Sequence, residues 1–246
     1  MKTAHAPLLA GSIHAEKRST DAAASIQATA RTAGLLYLLL IPLGIFGMLY
    51  IPHTLFVEGD TAATVRHIVA NEALFRASIL TALVTQVVQV FVVFYLFKVL
   101  EPAGRGAALL MVVLILLGVP IAMLNELNHI AVWALLDSDV ELVTLFLRLH
   151  HAGIVIAQIF WGLWLVPMGY LVFRSGFLPR VIGGLLVVAG CGYVTDSALF
   201  FLAPGFGITF SEFTFLGELL ITFWLLIRGV DVEAWKVAAA PPYAIR

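Results

Sequence analysis

The chain has 246 residues, of which 61% are hydrophobic and only 12% charged, with a mean hydropathy of +1.02. Soluble domains hold about 45–50% apolar residues, so a water-soluble globule is excluded. The net charge of −1 argues against a nucleic-acid partner, and a single cysteine, Cys191, rules out an internal disulfide, a C-x-x-C redox pair and a multi-thiolate metal site.

Residues 1–30 are rich in Ala, Ser and Thr, carry Lys2, Lys17 and Arg18, and lead into no cleavage pattern, so they predict a flexible or surface-lying cytoplasmic tail. A bilayer-spanning helix needs about 20 mainly apolar residues. Six segments qualify, at 31–51, 75–98, 105–135, 142–173, 180–202 and 212–229. The fold class is therefore all-α, a six-helix transmembrane domain over 31–229 followed by a C-terminal tail, 230–246. Between the first two spans, Asp60 can cap a short interfacial helix, 60–71, with Ala62, Val65, Ile68 and Val69 on one face. Glu101-Pro-Ala-Gly-Arg-Gly106 and the run from Arg174 to Arg180 punctuate later spans. Pro120 and Pro167 predict kinks within them.

Basic residues set the orientation. With both termini cytoplasmic, Lys2, Lys17, Arg18, Arg31, Lys98, Arg105, Arg174, Arg180, Arg228, Lys236 and Arg246 fall inside, leaving Arg66, Arg76 and Arg148 at or near the outer face. The acidic linker Asp137-Ser-Asp-Val-Glu141 then faces outward.

Ionisable groups within spans cost about 2.5–3.5 kcal/mol each at a helix centre and therefore face the bundle interior with partners. Span three carries Asn125, Glu126, Asn128 and His129; span four Arg148, His150, His151 and Gln158; span five Asp196; span six Glu218. Glu126 and His129 stand at i and i+3, with Trp133 on the same side, a ligand spacing. His150 and His151 diverge by about 100°; His151 shares a stripe with Arg148 and Gln158 and is the expected pocket residue. Asp196 is expected to seek Arg148 or a histidine, and Glu218 continues a polar stripe from Thr214 to Thr222. Thr81, Thr85 and Gln89, with Gln86 beside them, form a matching stripe on span two. The glycines of span five, Gly183, Gly184, Gly190 and Gly192, favour close helix approach.

No phosphate-binding loop, H-E-x-x-H or G-x-S-x-G motif is present. The stretch Phe160-Trp-Gly-Leu-Trp-Leu-Val-Pro-Met-Gly-Tyr-Leu-Val-Phe-Arg-Ser-Gly-Phe-Leu-Pro-Arg180, followed by Gly192-Tyr-Val-Thr-Asp-Ser197, resembles an uncharacterised bacterial membrane family catalogued as domain of unknown function 4386. Ala33-Gly-Leu-Leu-Tyr37 and Gly59-Asp60 fit the same pattern, so the resemblance covers roughly residues 30–230. It implies a multi-pass protein of the bacterial cytoplasmic (inner) membrane and carries no established activity.

Three functions remain open. The leading one is a non-enzymatic protein that binds or conducts a small ligand or protons in an outer pocket of Asn125, Glu126, His129, Arg148, His151, Asp196 and Glu218, with Gln86 and Gln89 extending it inward. The second is a metal-dependent intramembrane hydrolase with Glu126, His129, His151 and Asp196 around the metal. The third is a structural subunit without catalysis. The sequence singles out no cofactor; a divalent metal, or a haem clamped by His129 and a span-four histidine, is compatible with these residues. The expected partners are the lipid bilayer and a small molecule or proton, and a homo-oligomer is compatible with the sequence.

Overall fold

The computed structural model describes residues 6–136 and 140–240, with side chains from Ala23 onward. Asp137 and Asp139 of the acidic linker, with Lys2 and Arg246, lie outside the described residues.

Among the described residues the chain is all-helical. In order, the helices are α1 (Ala6–Gly44), a π-helical turn (Ile45–Tyr50), α2 (Ile51–Leu55), α3 (Thr61–Ala70), α4 (Glu72–Leu100) and a 3₁₀ turn (Glu101–Ala103). Then follow α5 (Arg105–Ala134), α6 (Val140–Leu163), α7 (Leu165–Ser175), α8 (Arg180–Leu202), α9 (Ser211–Thr214), α10 (Leu216–Ile227) and α11 (Val232–Ala239). Five stretches are long and apolar enough to cross a bilayer: Ala23–Leu55, Glu72–Ala103, Arg105–Ala134, Val140–Ser175 and Arg180–Leu202. A sixth is reached if Ser211–Ile227 and Val232–Ala239, bent by 100° from each other, count as one passage.

The bounds differ from expectation where local chemistry was misjudged. The segment read as a flexible tail is helical from Ala6 and continuous with the first span. Its Ala-rich sequence favours helix, and Ile26 and Ala30 are buried against the bundle. Within the expected C-terminal tail, Asp231 caps α11 by accepting from the Ala234 N–H at 3.0 Å, and the Trp235 indole donates to the Val99 carbonyl at 2.9 Å. Pro120 sits inside an unbroken α5. Pro167, which cannot donate to the Leu163 carbonyl, stands one turn after the break that separates α6 from α7. Pro52 similarly has no N–H for Met48, and that part of the first span is wound as a π turn.

The passages follow one another around a closed ring: α1 packs on α4, α4 on α5, α5 on α6 and α7, those two on α8, α8 on α10, and α10 back on α1. Polarity runs inward, as a bilayer demands. On α4, Ser78 and Gln86 are buried while Val84, Val87, Phe91 and Phe94 face outward. One half of the ring is filled by an apolar core that includes Leu96, Leu100, Met111, Ile115, Trp164, Leu165 and Met168.

Glycines set the spacing of the second half of the chain. A Cβ on Gly169 would lie 2.5 Å from the Gly183 carbonyl oxygen, one on Gly162 2.7 Å from that of Gly190, and one on Gly217 2.6 Å from the Leu185 backbone. Two turns need glycine for another reason. Gly176 ends α7 at φ 73°, and Gly229 at φ 71° lets the Gln27 amide clamp Val230, donating to its carbonyl at 2.8 Å and accepting its N–H at 3.2 Å.

Substituting Gly183→Leu drives a side chain into the Phe173 backbone and is expected to destabilise the bundle by about 1–3 kcal/mol. Its neighbour Gly184 meets nothing within 4 Å, so Gly184→Leu is expected to stay within about 0.5 kcal/mol of wild type. Thermal unfolding in detergent compares the two.

Candidate functional site

The functional groups gather on the faces of α5 and α6 that meet. The buried residues of α5 run from Ala108 through Met111, Ile115, Gly118, Ala122, Asn125 and His129 to Val132 in steps of three or four, with Val119 and Glu126 beside them, one continuous inward stripe. Its last third carries the polar cluster.

Glu126 lies at the centre, 3% exposed. Its Oε2 is 3.2 Å from His129 Nδ1 and its Oε1 is 3.1 Å from His150 Nε2, so one carboxylate joins two imidazoles from two helices. The imidazole rings stack with centroids 3.4 Å apart and an interplanar angle of 18°. Phe75 contacts His129 edge-on at 5.2 Å. Asn125 Nδ2 donates to the His150 carbonyl at 2.9 Å, and Asn128 Nδ2 donates to Asn125 Oδ1 at 2.9 Å. That crossing is open because residue 153 is glycine: a Cβ there would collide with the Asn125 carboxamide.

The cluster forms part of the wall of a cavity of about 1040 Å³. Span one contributes Gly47, Met48 and Ile51, span two Ser78, Thr81, Thr85 and Gln86, span three Glu126 and His129, and span four His150, Ile154 and Trp161, with Phe200 from α8. Among the lining residues none belongs to α9 or α10. Thr61 and Thr64 of α3 also line it. The capping expected of Asp60 is present, its Oδ1 accepting from the Ala63 N–H at 2.8 Å. The inward face of α3 is Ala63, Thr64 and Ile68, however, while Ala62 and Val69 point outward.

Of the residues expected in the pocket, Gln86, Glu126, His129, Arg148 and His151 line the cavity and Asn125 braces it from behind. The histidine that meets Glu126 is His150, a correction to the expectation of His151. His151 is exposed and packs edge-on against Phe200 at 5.4 Å. The face of α6 carrying His150, Gly153 and Ala157 has the small residues, so it is the one that approaches α5 and turns His151 aside. Gly153, three residues after His150, was the sequence signal that could have decided between them.

Asp196 is also absent from the cluster. Its two oxygens accept the backbone N–H groups of Phe210 and Ser211 at 2.7 and 2.8 Å, and no ion pair joins it to Arg148 among the described residues. Glu218 accepts the Tyr37 hydroxyl at 2.7 Å, tying α10 to α1. Gln89 does not line the cavity. Trp133 donates to Glu72 at 2.9 Å. The stacking of His129 on His150 leaves no room for a macrocycle between them, so this pair does not fit a haem.

A ring of membrane-length helices enclosing a carboxylate–imidazole cluster defines a multi-pass membrane protein with a polar interior site. The chain belongs to the family described as domain of unknown function DUF4386, whose model matches residues 32–229. It is similar to an uncharacterized protein of Archaeoglobus fulgidus, 39% identical over 74 residues. That match spans 30% of this chain and 44% of the relative, less than half its length. No solved structure matches.

Gly153→Ala is expected to displace Asn125 and cost about 1–3 kcal/mol. Because the lesion acts through one contact, Gly153→Ala combined with Asn125→Ala should cost less than the sum of the two, by about 0.5–3 kcal/mol. Equilibrium unfolding of the four proteins in detergent measures the coupling.

Proposed function

We propose that this protein binds a single-chain, anionic amphipathic molecule from the bilayer, seated in the cavity with its head group toward Arg148 and His151. The observation that carries this reading is a blind cavity of mixed character. Its volume of about 1040 Å³ is at the upper end of ligand pockets, roughly 300–1,000 Å³. Its apolar wall includes Met48, Ile51, Leu147, Ile154, Trp161 and Phe200, while Gln86, Thr85, His129 and His150 supply polar groups. Arg148 and His151 are exposed members of the lining, suited to an anionic head group.

Binding is favoured over conduction because the half of the bundle beyond the cavity is packed. Val92, Val93, Leu96, Met111, Ile115 and Trp164 are buried in one continuous core there. The absence of α9 and α10 from the lining supports entry from the bilayer past the first span, whose Met48, Leu49 and Tyr50 face outward.

The cavity is read as opening toward the outer leaflet of a prokaryotic cytoplasmic membrane, both termini being cytoplasmic. Lys98, Arg105, Arg174, Arg180 and Arg228 cluster at the opposite end of the helices, as the excess of basic residues on cytoplasmic loops requires.

In nanodiscs, a pyrene-labelled fatty acid is expected to bind saturably. Gly47 lines the cavity and a Cβ there meets nothing within 4 Å, so Gly47→Trp should fill the space without unfolding the chain and weaken binding at least about tenfold, or 1.4 kcal/mol. Gly106→Trp, outside the cavity, should bind as wild type does. Equal binding by Gly47→Trp and wild type, or no saturable binding at all, would sink the reading. Proteoliposomes are expected to pass protons no faster than protein-free vesicles, measured with an entrapped pH dye.

A further inference from the structure

We propose that Glu126, His129 and His150 form the binding site of one divalent transition metal, with zinc the ion the donor set suits best. Two imidazoles and one carboxylate are the protein ligands of open zinc sites, which leave further positions to water or to an oxygen of a bound molecule. Each of the three residues can present one ligand atom, and these atoms lie within 4.8 Å of one another. The separations of 3.2 and 3.1 Å from the carboxylate oxygens to the two ring nitrogens come close to the edge of a tetrahedron of zinc ligands, about 3.4 Å for bonds near 2.1 Å.

A second observation points the same way. His129 Nε2 is buried without a hydrogen-bond partner, and so is Gln86 Oε1; both residues line the cavity and are more than nine-tenths buried. Without a metal, two neutral histidines can serve one carboxylate only by donating Nδ1–H from His129 and Nε2–H from His150. His129 Nε2 is then a bare acceptor, and Gln86 Oε1 is another. A metal on His129 Nδ1 moves the ring proton to Nε2, which becomes a donor. With Nε2 a donor and Gln86 Oε1 an acceptor, the two unpartnered groups become complementary, the kind of outer support that metal-bound histidines ordinarily have.

The inference goes beyond the amphipath reading and does not need it, since the three protein ligands are complete without a second molecule. Full-length protein in detergent, stripped with a chelator and dialysed against zinc or cobalt(II) alone, provides the test, with metal counted by mass spectrometry. Wild type and His151→Gln are expected to retain about one ion per chain, and Glu126→Gln and His150→Gln less than about a tenth of that. The cobalt form should show the visible absorption of a low-coordinate ion, absent from His150→Gln.

Wild type that takes up no metal overturns the proposal, as does undiminished uptake by folded His150→Gln. If the variants do not fold, X-ray absorption of the cobalt wild type decides: imidazole in the coordination shell supports the site, and oxygen ligands only overturn it. Pyrene-fatty-acid binding, measured on the metal-free protein, separates the two readings. Acyl binding without metal uptake defeats only the metal, and metal uptake without acyl binding defeats only the amphipath.

Discussion

The architecture depends on one constraint: a carboxylate inside a membrane must be partnered. Glu126 meets it by bonding to imidazoles from its own helix and the next, and the other polar groups nearby follow. His129 is held between His150 and Phe75, and Asn125 reaches across to the His150 carbonyl. Bonds involving an ionised group contribute about 1.5–3 kcal/mol each, comparable with the cost of placing such a residue at a helix centre. The cluster is thus compensated where it stands, and any rotation of α6 relative to α5 would remove that compensation.

Close packing elsewhere holds that rotation. In a bilayer no hydrophobic force drives helix against helix, so small residues that let backbones approach take its place. Gly162 against Gly190 and Gly169 against Gly183 bring the fourth passage onto the fifth, Gly217 brings α10 onto the fifth, and Gly34 meets the Leu226 backbone to close the ring. The result is a bundle of two unlike halves. One is sealed by apolar side chains, with the break before α7 inside it, and in the other the π turn borders a cavity. Proline underlies both irregularities by removing a backbone donor.

The ends of the ring are finished by short polar devices. Asp60 and Asp231 cap α3 and α11, Asp196 accepts two backbone N–H groups at the turn into α9, and Gln27 clamps the chain at Val230. These are carboxylates and amides occupied by backbone. Glu126 differs from them in holding only side chains, each of which has a ring nitrogen able to bind something else.

Composition and apolar run length by themselves determined the class of the protein, an all-helical chain with several membrane-length helices, and the inward bias of their ionisable residues, because the bilayer imposes those on any sequence. The Asp60 cap and the facing of Glu126 with His129 were also legible, since both are local and helical geometry dictates them. Only the tertiary structure decided that His150 rather than His151 completes the cluster, that Asp196 serves the backbone, and that Glu218 pairs with Tyr37. Each of these rests on the rotation of one helix about its axis against another. That angle is set by where Gly153, Ala157 and the interhelical glycines permit contact, a property of two surfaces together that the spacing along a single helix does not contain.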